Sequence, residues 1–319
     1  MKKLLMAIIV GTVMAGLGAE RQLKVLMVGN SFSISNIHNM PQICKDMGLE
    51  LELGSLYIGG CSLERHWNNV VAATNATFKP YDYALFRGGE AVADAPKKAN
   101  IPEIVKGTKW DIITLQQASH FSWKIETYSP YFDSLCAKFK EWCPQAEIVL
   151  QETWSYTPWD KRLADWKIDQ HQMYAHLHRA YYDIASSHGL KVIPMGTAVQ
   201  LWRERRPVKY AENSFGGDVC GYEGPNNFVQ IGGKWMPNPG KVPPGGKRRR
   251  GGCDVFHLNR RGQYFQSLVW TAKLFGADVT KCGFNPEFVT ESDAALMKRV
   301  AMAAVAGELP SPAFGGAAK

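Results

Sequence analysis

The chain has 319 residues, of which 45% are hydrophobic and 21% charged, and its formal net charge is +8. This composition excludes a wholly disordered chain and suits one large globular domain, or two small ones, with a buried core. The seven cysteines are an odd number in a chain too long for a small disulfide scaffold, so at least one thiol is expected to stay free.

The first 19 residues have the order of a secretory signal peptide. The charged segment Met1–Lys3 precedes an apolar run over 4–13, and small residues follow up to Ala19. The apolar run is too short to span a membrane, and no cysteine that could carry a lipid lies near the predicted cleavage point. We therefore predict a secreted or periplasmic protein without a stable membrane anchor.

Five segments are predicted to form strands, of which four are apolar runs and one, 49–58, alternates apolar and polar residues. In chain order they cover 24–28, 49–58, 111–115, 147–150 and 190–194. The four apolar runs are too uniformly apolar for a sheet with one face in water, so they indicate a parallel sheet buried between helices. A further strand-like stretch, 81–86, lies within an aromatic hairpin or loop insertion.

Segments with helical spacing of apolar residues alternate with these strands. They cover 35–48, 62–73, 101–106, 130–142, 161–188, 258–275 and 290–305. The alternation predicts an α/β fold in a single domain over 20–306, with a tail over 307–319. The segment 207–253 is rich in glycine, proline and basic residues, and it is predicted to be a long loop at the active site.

Polar or glycine residues follow four of the predicted strands, namely Ser31, Gly60, Gln116 and Gln151. The carboxyl ends of parallel strands meet at one edge of the sheet, and ligands bind at that edge where the strand order reverses. These four residues are therefore predicted to lie around one site.

The segment from Asp254 to His257 indicates acid–base chemistry. An aspartate three residues before a histidine can hold the imidazole in one tautomer while its other nitrogen faces a nucleophile. Ser31, directly after a buried strand, is the predicted nucleophile. The alternative is structural: Ser31 would cap the helix that follows it, Asp254 would cap the last long helix, and His257 would be a hydrogen-bonded residue of its first turn.

The segments 28–33 and 254–259 resemble the first and last blocks of the SGNH (GDSL-type) hydrolase superfamily, and more narrowly those of its exported bacterial DUF4886-type members. Asn30 stands where many members have aspartate. The resemblance covers residues 24–276 and implies a flavodoxin-like three-layer α/β/α sandwich with a parallel five-stranded sheet. It also implies ester hydrolysis without metal or cofactor, by Ser31, Asp254 and His257.

The same resemblance suggests an oxyanion hole. The Ser31 amide would contribute to it, and Gly60 agrees with the family glycine whose amide does so. The family's Gly-x-Asn-Asp block is replaced by residues 115–119, which are similar to the Gln-Gly-Glu-Ser variant of sialate and xylan acetylesterase-like members. Gln116 would supply the side-chain donor, with Gln117 as the second choice. Alternatively, both glutamines only make hydrogen bonds at the strand end.

The predicted function is that of an exported esterase that removes acetyl or similar groups from carbohydrate. Trp123, Trp154 and Gln151 are the candidate substrate-binding residues, although the tryptophans would equally well pack within their loops. Two alternatives use the same scaffold: an acyltransferase with the same triad, and a carbohydrate-binding protein without activity. Only the net charge favours nucleic acid, no ligand spacing indicates a metal, and the oligomeric state is left open.

Overall fold

The computed structural model describes residues 22–75, 77–158, 160–206, 218–220, 228–231, 234–237, 254 and 256–312. The predicted signal peptide lies outside the described residues, as do most of the predicted loop over 207–253 and the last residues of the predicted tail. No helix among the described residues is long and apolar enough to cross a membrane.

A sheet of eight strands forms the centre of the molecule. The strands are β1 (Gln22–Gly29), β2 (Glu50–Tyr57), β3 (Tyr81–Arg87), β4 (Glu90–Ala91), β5 (Lys98–Ala99), β6 (Ile112–Leu115), β7 (Glu147–Gln151) and β8 (Lys191–Ile193). Five of them run parallel in the order β2-β1-β6-β7-β8. This is the flavodoxin-like order, and it confirms the predicted parallel core.

The sheet is larger than the five strands predicted. β3 pairs antiparallel with the outer edge of β2, and the short strands β4 and β5 both pair with β3. The predicted aromatic insertion is thus a sheet extension. Its middle is only half-buried, so it lacks the uniformly apolar pattern that marks a central strand. A separate hairpin joins β9 (Phe228–Ile231) to β10 (Lys234–Pro237).

The central strand β1 shows why the parallel strands are apolar on both faces. Val25 lies beside Leu53 of β2 on one side and Ile112 of β6 on the other, and β1 is buried from Val25 to Gly29. Because helices cover both faces of the sheet, neither set of alternate side chains reaches water. Burial of a side chain of this size contributes about 1.5–3 kcal/mol.

Nine α-helices lie among the described residues. They are α1 (Met40–Asp46), α2 (Leu63–Ala72), α3 (Ile101–Gly107), α4 (Tyr131–Trp142), α5 (Lys161–Trp166), α6 (Gln170–His188), α7 (Met195–Arg205), α8 (Arg260–Phe275) and α9 (Glu291–Val305). The helix α8 packs against α1 and α9, and α4 packs against α2 and α3. His188 of α6 contacts Asp133 of α4, which extends that second layer.

The prediction of one long helix over 161–188 is wrong. Lys167 ends α5 with a left-handed backbone, at φ of 57°. A new helix begins two residues later, where Asp169 and Gln172 form a capping box. The capping residues Asp160 and Asp169 were readable in the sequence, but a left-handed lysine carries no such signal.

Six cysteines are described, and all six are buried free thiols, namely Cys44, Cys61, Cys136, Cys143, Cys220 and Cys282. Burial raises the pKa of the thiols of Cys44, Cys61 and Cys136 to about 12. The seventh cysteine, Cys253, lies outside the described residues.

Candidate active site

The chain turns sharply between β1 and the segment that carries Ser31. A Cβ atom on Gly29 would lie 2.3 Å from Ser33 Oγ and 2.9 Å from both amide atoms of Gln116. A side chain at position 29 would therefore displace the Ser33 and Gln116 side chains, and glycine leaves room for both. The turn places Ser31 above β1, whose neighbours β2 and β6 lie on opposite sides, which is where the strand order reverses.

The Asn30 side chain joins three segments of the site. Its Nδ2 donates to the Cys61 carbonyl at 2.9 Å, and its Oδ1 accepts from the Phe32 amide at 3.0 Å and from Gln116 Nε2 at 3.1 Å. An aspartate carboxylate at this position has no hydrogen to donate to the Cys61 carbonyl. Asparagine, unlike aspartate, can therefore make this contact.

The peptide after Ser31 is held from two layers of the fold. The Phe32 carbonyl accepts from Gln151 Nε2 of β7 at 2.6 Å and from Gln266 Nε2 of α8 at 2.7 Å. Gln151 is fully buried. It therefore positions the nucleophile turn, which corrects the prediction that Gln151 contacts substrate.

Ser31, His257 and Asp254 lie in one chain of hydrogen bonds. His257 Nε2 is 2.8 Å from Ser31 Oγ, and His257 Nδ1 is 2.6 Å from Asp254 Oδ2. The other carboxylate oxygen of Asp254 accepts from the backbone amides of His257 and Phe256, at 3.0 and 3.2 Å. When Nδ1 carries the proton toward Asp254, the lone pair of Nε2 faces the serine hydroxyl.

The Asp254 carboxylate is held in its charged form. Burial opposes its ionisation, but the hydrogen bond and charge of His257, together with the two backbone amides, outweigh that effect and lower the pKa of Asp254 to about 2. Asp254 is therefore negative at any pH near neutrality, so it can stabilise an imidazolium on His257.

Trp154 connects the Ser31 segment to the His257 segment. Its ring stacks on Phe32 at a centroid distance of 4.0 Å, and its Nε1 donates to the Phe256 carbonyl at 2.8 Å. The side chain is fully buried. The prediction that Trp154 stacks on a sugar is thus wrong, because the buried ring has no surface exposed to a ligand.

The backbone amides of Ser31 and Gly60 are available for a ligand. Within the described part of the chain, neither donates to a protein acceptor. Gly60 has a φ of 62° and lies exposed on the turn after β2. That left-handed backbone is the reason for glycine at this position. The Gln116 side-chain amide donates one hydrogen to Asn30. Its other hydrogen stays a predicted third donor to the oxyanion.

Gln117 does not have the role predicted for it. Its Nε2 donates to both the carbonyl and the hydroxyl of Thr127, at 2.9 and 3.1 Å. Its Oε1 accepts from the amides of Leu63 and Ala118. Because both amide hydrogens are committed, Gln117 ties the start of α2 to the loop before α4 and has none left for an oxyanion.

A row of aromatic rings leads away from His257. Phe256 lies 5.2 Å from Tyr156, Tyr156 lies 5.7 Å from Trp166, and Trp166 lies 5.5 Å from Trp123, measured between ring centroids. Trp123 is half-buried in this row, so it remains a candidate for contact with substrate. Among the described residues, no group of three or more His, Cys, Asp or Glu side chains is placed to hold a metal ion.

A flavodoxin-like sheet with a serine at its switch point, joined to histidine and aspartate from the end of the fold, defines an SGNH-like α/β protein. Residues 24–224 match the family model described as Domain of unknown function (DUF4886). The chain therefore belongs to the DUF4886 family. Among curated proteins, none matches it.

One solved structure of the same family is similar over most of its length, and two others are similar at lower scores. A DUF4886 family protein from Bacteroides uniformis is 25% identical, with a TM-score of 0.70 over 89% of this chain and 95% of that chain. A candidate SGNH hydrolase from Slackia heliotrinireducens is 21% identical, with a TM-score of 0.37 over 54% of this chain and 78% of that one. A candidate lipase from Chitinophaga pinensis is 12% identical, with a TM-score of 0.40 over 77% and 95%. The last two scores are too low to support an argument about function.

Proposed function

We propose that the protein is an exported serine esterase that cleaves acetyl or similar acyl esters of carbohydrate. The observation that carries this proposal is the hydrogen-bonded chain from Ser31 Oγ through His257 to Asp254, at 2.8 and 2.6 Å. A serine, a general base and a carboxylate that orients the base are the parts that acyl transfer to serine requires. The predicted signal peptide supports export.

In the proposed reaction, His257 Nε2 takes the proton of Ser31 as Oγ bonds to the acyl carbon. The tetrahedral intermediate then expels the alcohol, which takes that proton from His257, and the acyl group remains on Ser31. A water molecule attacks this second ester while His257 accepts one of its protons. The acid departs, and the proton returns to Ser31 Oγ.

Charge develops on the carbonyl oxygen during both attacks. The free amides of Ser31 and Gly60 support an oxyanion hole in this place, with the Gln116 side chain as the third donor. Loss of one such donor typically raises the barrier by about 3 kcal/mol. The hydrogen bonds of Asn30 to Cys61 and Gln116 support the alignment of all three donors.

The carbohydrate part of the proposal is supported by the half-buried ring of Trp123 in the aromatic row beside His257. Aromatic faces suit the apolar faces of sugar rings, because both surfaces lose water on contact. An acetyl group is small, and in the proposed complex the alcohol part of the ester extends toward the aromatic row.

The test is the hydrolysis of p-nitrophenyl acetate and of a panel of acetylated sugars by the wild type and by Ser31→Ala. We expect Ser31→Ala to lower kcat by roughly 10⁴–10⁶-fold, because the nucleophile is lost while the fold is kept. The control is Ser187→Ala on the exposed surface of α6, which we expect to retain full activity. Undiminished turnover by Ser31→Ala, at an unchanged Tm, would refute the proposal.

A further inference from the structure

Arg162 lies beside the proposed catalytic histidine and has no part in the reaction above. Its guanidinium carbon is 4.2 Å from the ring centre of Phe256 and 4.1 Å from that of Tyr156. The Phe256 ring is in turn 4.1 Å from the His257 imidazole. The Phe256 ring therefore lies between the Arg162 guanidinium and the His257 imidazole.

The orientation of Arg162 is set by Asp160. Asp160 caps α5 by accepting from the Arg162 amide at 3.0 Å, and its two oxygens accept from Nε at 2.9 Å and from Nη2 at 2.5 Å. The Asp160 side chain is buried, whereas 30% of the Arg162 side chain is exposed. Among the described residues, none accepts a hydrogen bond from Nη1. One edge of the guanidinium is thus held by the protein, and the other has two hydrogens to donate.

Two more basic groups lie in the region of the aromatic row. Lys124 Nζ is 4.9 Å from the ring centre of Trp123, at the far end of the row from Arg162. Burial lowers the pKa of His120, and the charges of Arg162 and Lys124 lower it further. Asp160 pairs with Arg162 and Asp254 with His257, whereas Lys124 makes no ion pair with the described residues, so it adds a second positive charge along the row.

We propose that Arg162 binds an anionic group on the alcohol part of the ester, a carboxylate or phosphate carried by the sugar. This inference rests on the proposed esterase function. Because an acetyl group carries no charge, the anion belongs to the alcohol, which remains free to contact the aromatic row. A guanidinium already fixed by Asp160 loses little side-chain entropy on binding, which favours recognition of an anion by Nη1.

The alternative is that Arg162 only braces α5 against Phe256. A brace would affect every substrate alike, since it would act through the position of the His257 segment. Recognition of an anion would affect only substrates that carry one. The two roles therefore differ in their selectivity between charged and neutral esters of the same shape.

The test compares kcat/KM for three acetyl esters: an acetylated methyl glucoside, the matching methyl glucuronide and the matching glucoside 6-phosphate. The enzymes are the wild type, Arg162→Gln, Arg162→Lys and the control Lys161→Gln, which removes one charge from the exposed neighbouring position. We expect the wild type to prefer at least one anionic ester. Arg162→Gln should lower kcat/KM for that ester about 10- to 100-fold, mainly through KM, and leave the neutral ester within about twofold.

Arg162→Lys should keep part of the preference, because the charge remains while the planar fork is lost. Lys161→Gln should keep all of it. Equal losses on charged and neutral esters in Arg162→Gln would overturn the inference in favour of a brace, and so would a wild type without any preference. The glucuronide and the phosphate distinguish which anion fits.

A wild type that cleaves none of the esters would refute the proposed function instead. The inference is then decided by calorimetric titration of methyl glucuronide and glucoside 6-phosphate into Ser31→Ala, with and without Arg162→Gln. Binding of an anion that is lost with Arg162→Gln supports the inference. Absence of binding by the folded Ser31→Ala protein overturns it.

Discussion

Among the histidine–carboxylate pairs of the described residues, His257–Asp254 and His178–Glu152 both lie near the carboxyl edge of the sheet, and of these two only His257 contacts a serine. His257 binds Asp254 at 2.6 Å, and His178 binds Glu152, the residue after β7, at 2.7 Å. His257 uses its second nitrogen to reach Ser31. His178 presents the same nitrogen, Nδ1, to Glu152 and to the Thr197 hydroxyl, at 2.7 and 3.3 Å.

The carboxylates of the two pairs also differ. Glu152 is fully buried and accepts from the Thr197 amide in the first turn of α7 at 2.7 Å, so it joins the sheet to that helix. The Asp254 side chain is 26% exposed. Its partner, His257, joins the segment before α8 to Ser31 at the end of β1. The short distance between histidine and carboxylate is therefore a poor sign of activity. The group that meets the second nitrogen is informative only together with its place in the fold, because His188 also joins a carboxylate, Asp133, to a serine, the exposed Ser187 at the end of α6.

The largest expected effect comes from Asp254→Asn. The amide keeps the shape of the side chain but can no longer stabilise the imidazolium, and it favours the wrong tautomer of His257. We expect kcat to fall by roughly 10⁴-fold with little change in Tm, measured on the best ester found for the wild type.

Glu152→Gln is the matched control at the other pair. We expect activity within about twofold of the wild type and a lower free energy of unfolding, by about 1–3 kcal/mol, because the amide keeps only one of the two oxygens that accept from Thr197 and contact His178. If the two variants exchange these effects, the assignment of the pairs to catalysis and to structure is reversed.

A smaller effect is expected from Trp154→Phe, which keeps a ring against Phe32 and removes the donor to the Phe256 carbonyl. The segment that carries His257 then loses the hydrogen bond that holds its backbone. We expect kcat to fall by about tenfold, because a small displacement of a catalytic group raises the reaction barrier. Trp202→Phe in α7 is the control, because Trp202 is equally buried. Equal kcat values for both variants below their melting temperatures would show that Trp154 does not position His257.

The smallest effect concerns His178 and stability alone. Burial lowers the pKa of His178, but the hydrogen bond and charge of Glu152 outweigh it and raise the pKa above its ordinary value of 6.5. A raised pKa in the folded state adds stability below pH 6.5, and that addition is lost as the pH rises through the folded value.

His178→Gln should remove this dependence. We expect the free energy of unfolding of the wild type to fall more than that of the variant between pH 6 and pH 8.5, measured by urea denaturation. Parallel curves for the two proteins would show that His178 does not gain a proton on folding.

Much of this fold was predictable because uniformly apolar runs such as 24–28 occur only where both faces of a strand are covered. The alternation with helical segments then led to the parallel core. The strand β3 could not be recognised as part of the sheet, because an edge strand with a half-buried middle resembles a hairpin insertion. The break at Lys167 was missed for a different reason, since a left-handed lysine has no sequence signal.

Ser31 follows β1 and His257 precedes α8, and the structure places the two side chains together. The roles of Gln117, Gln151 and Trp154 did not follow from the sequence. A polar or aromatic side chain after a strand is compatible with either substrate or protein contacts, and only the positions of its neighbours decide between them. Gln151 and Trp154 are completely buried, so their contacts are with the protein and not with substrate.

The buried sulfurs have a practical consequence for work on this molecule. Alkylating reagents attack the thiolate, and Cys44, Cys61 and Cys136, with pKa values of about 12, are almost entirely neutral at physiological acidity as well as shielded from the reagent. In the described part of the chain, iodoacetamide should therefore modify these side chains only while the interior is transiently open. The rate of alkylation then reports how often the wild-type protein opens enough to expose these thiols.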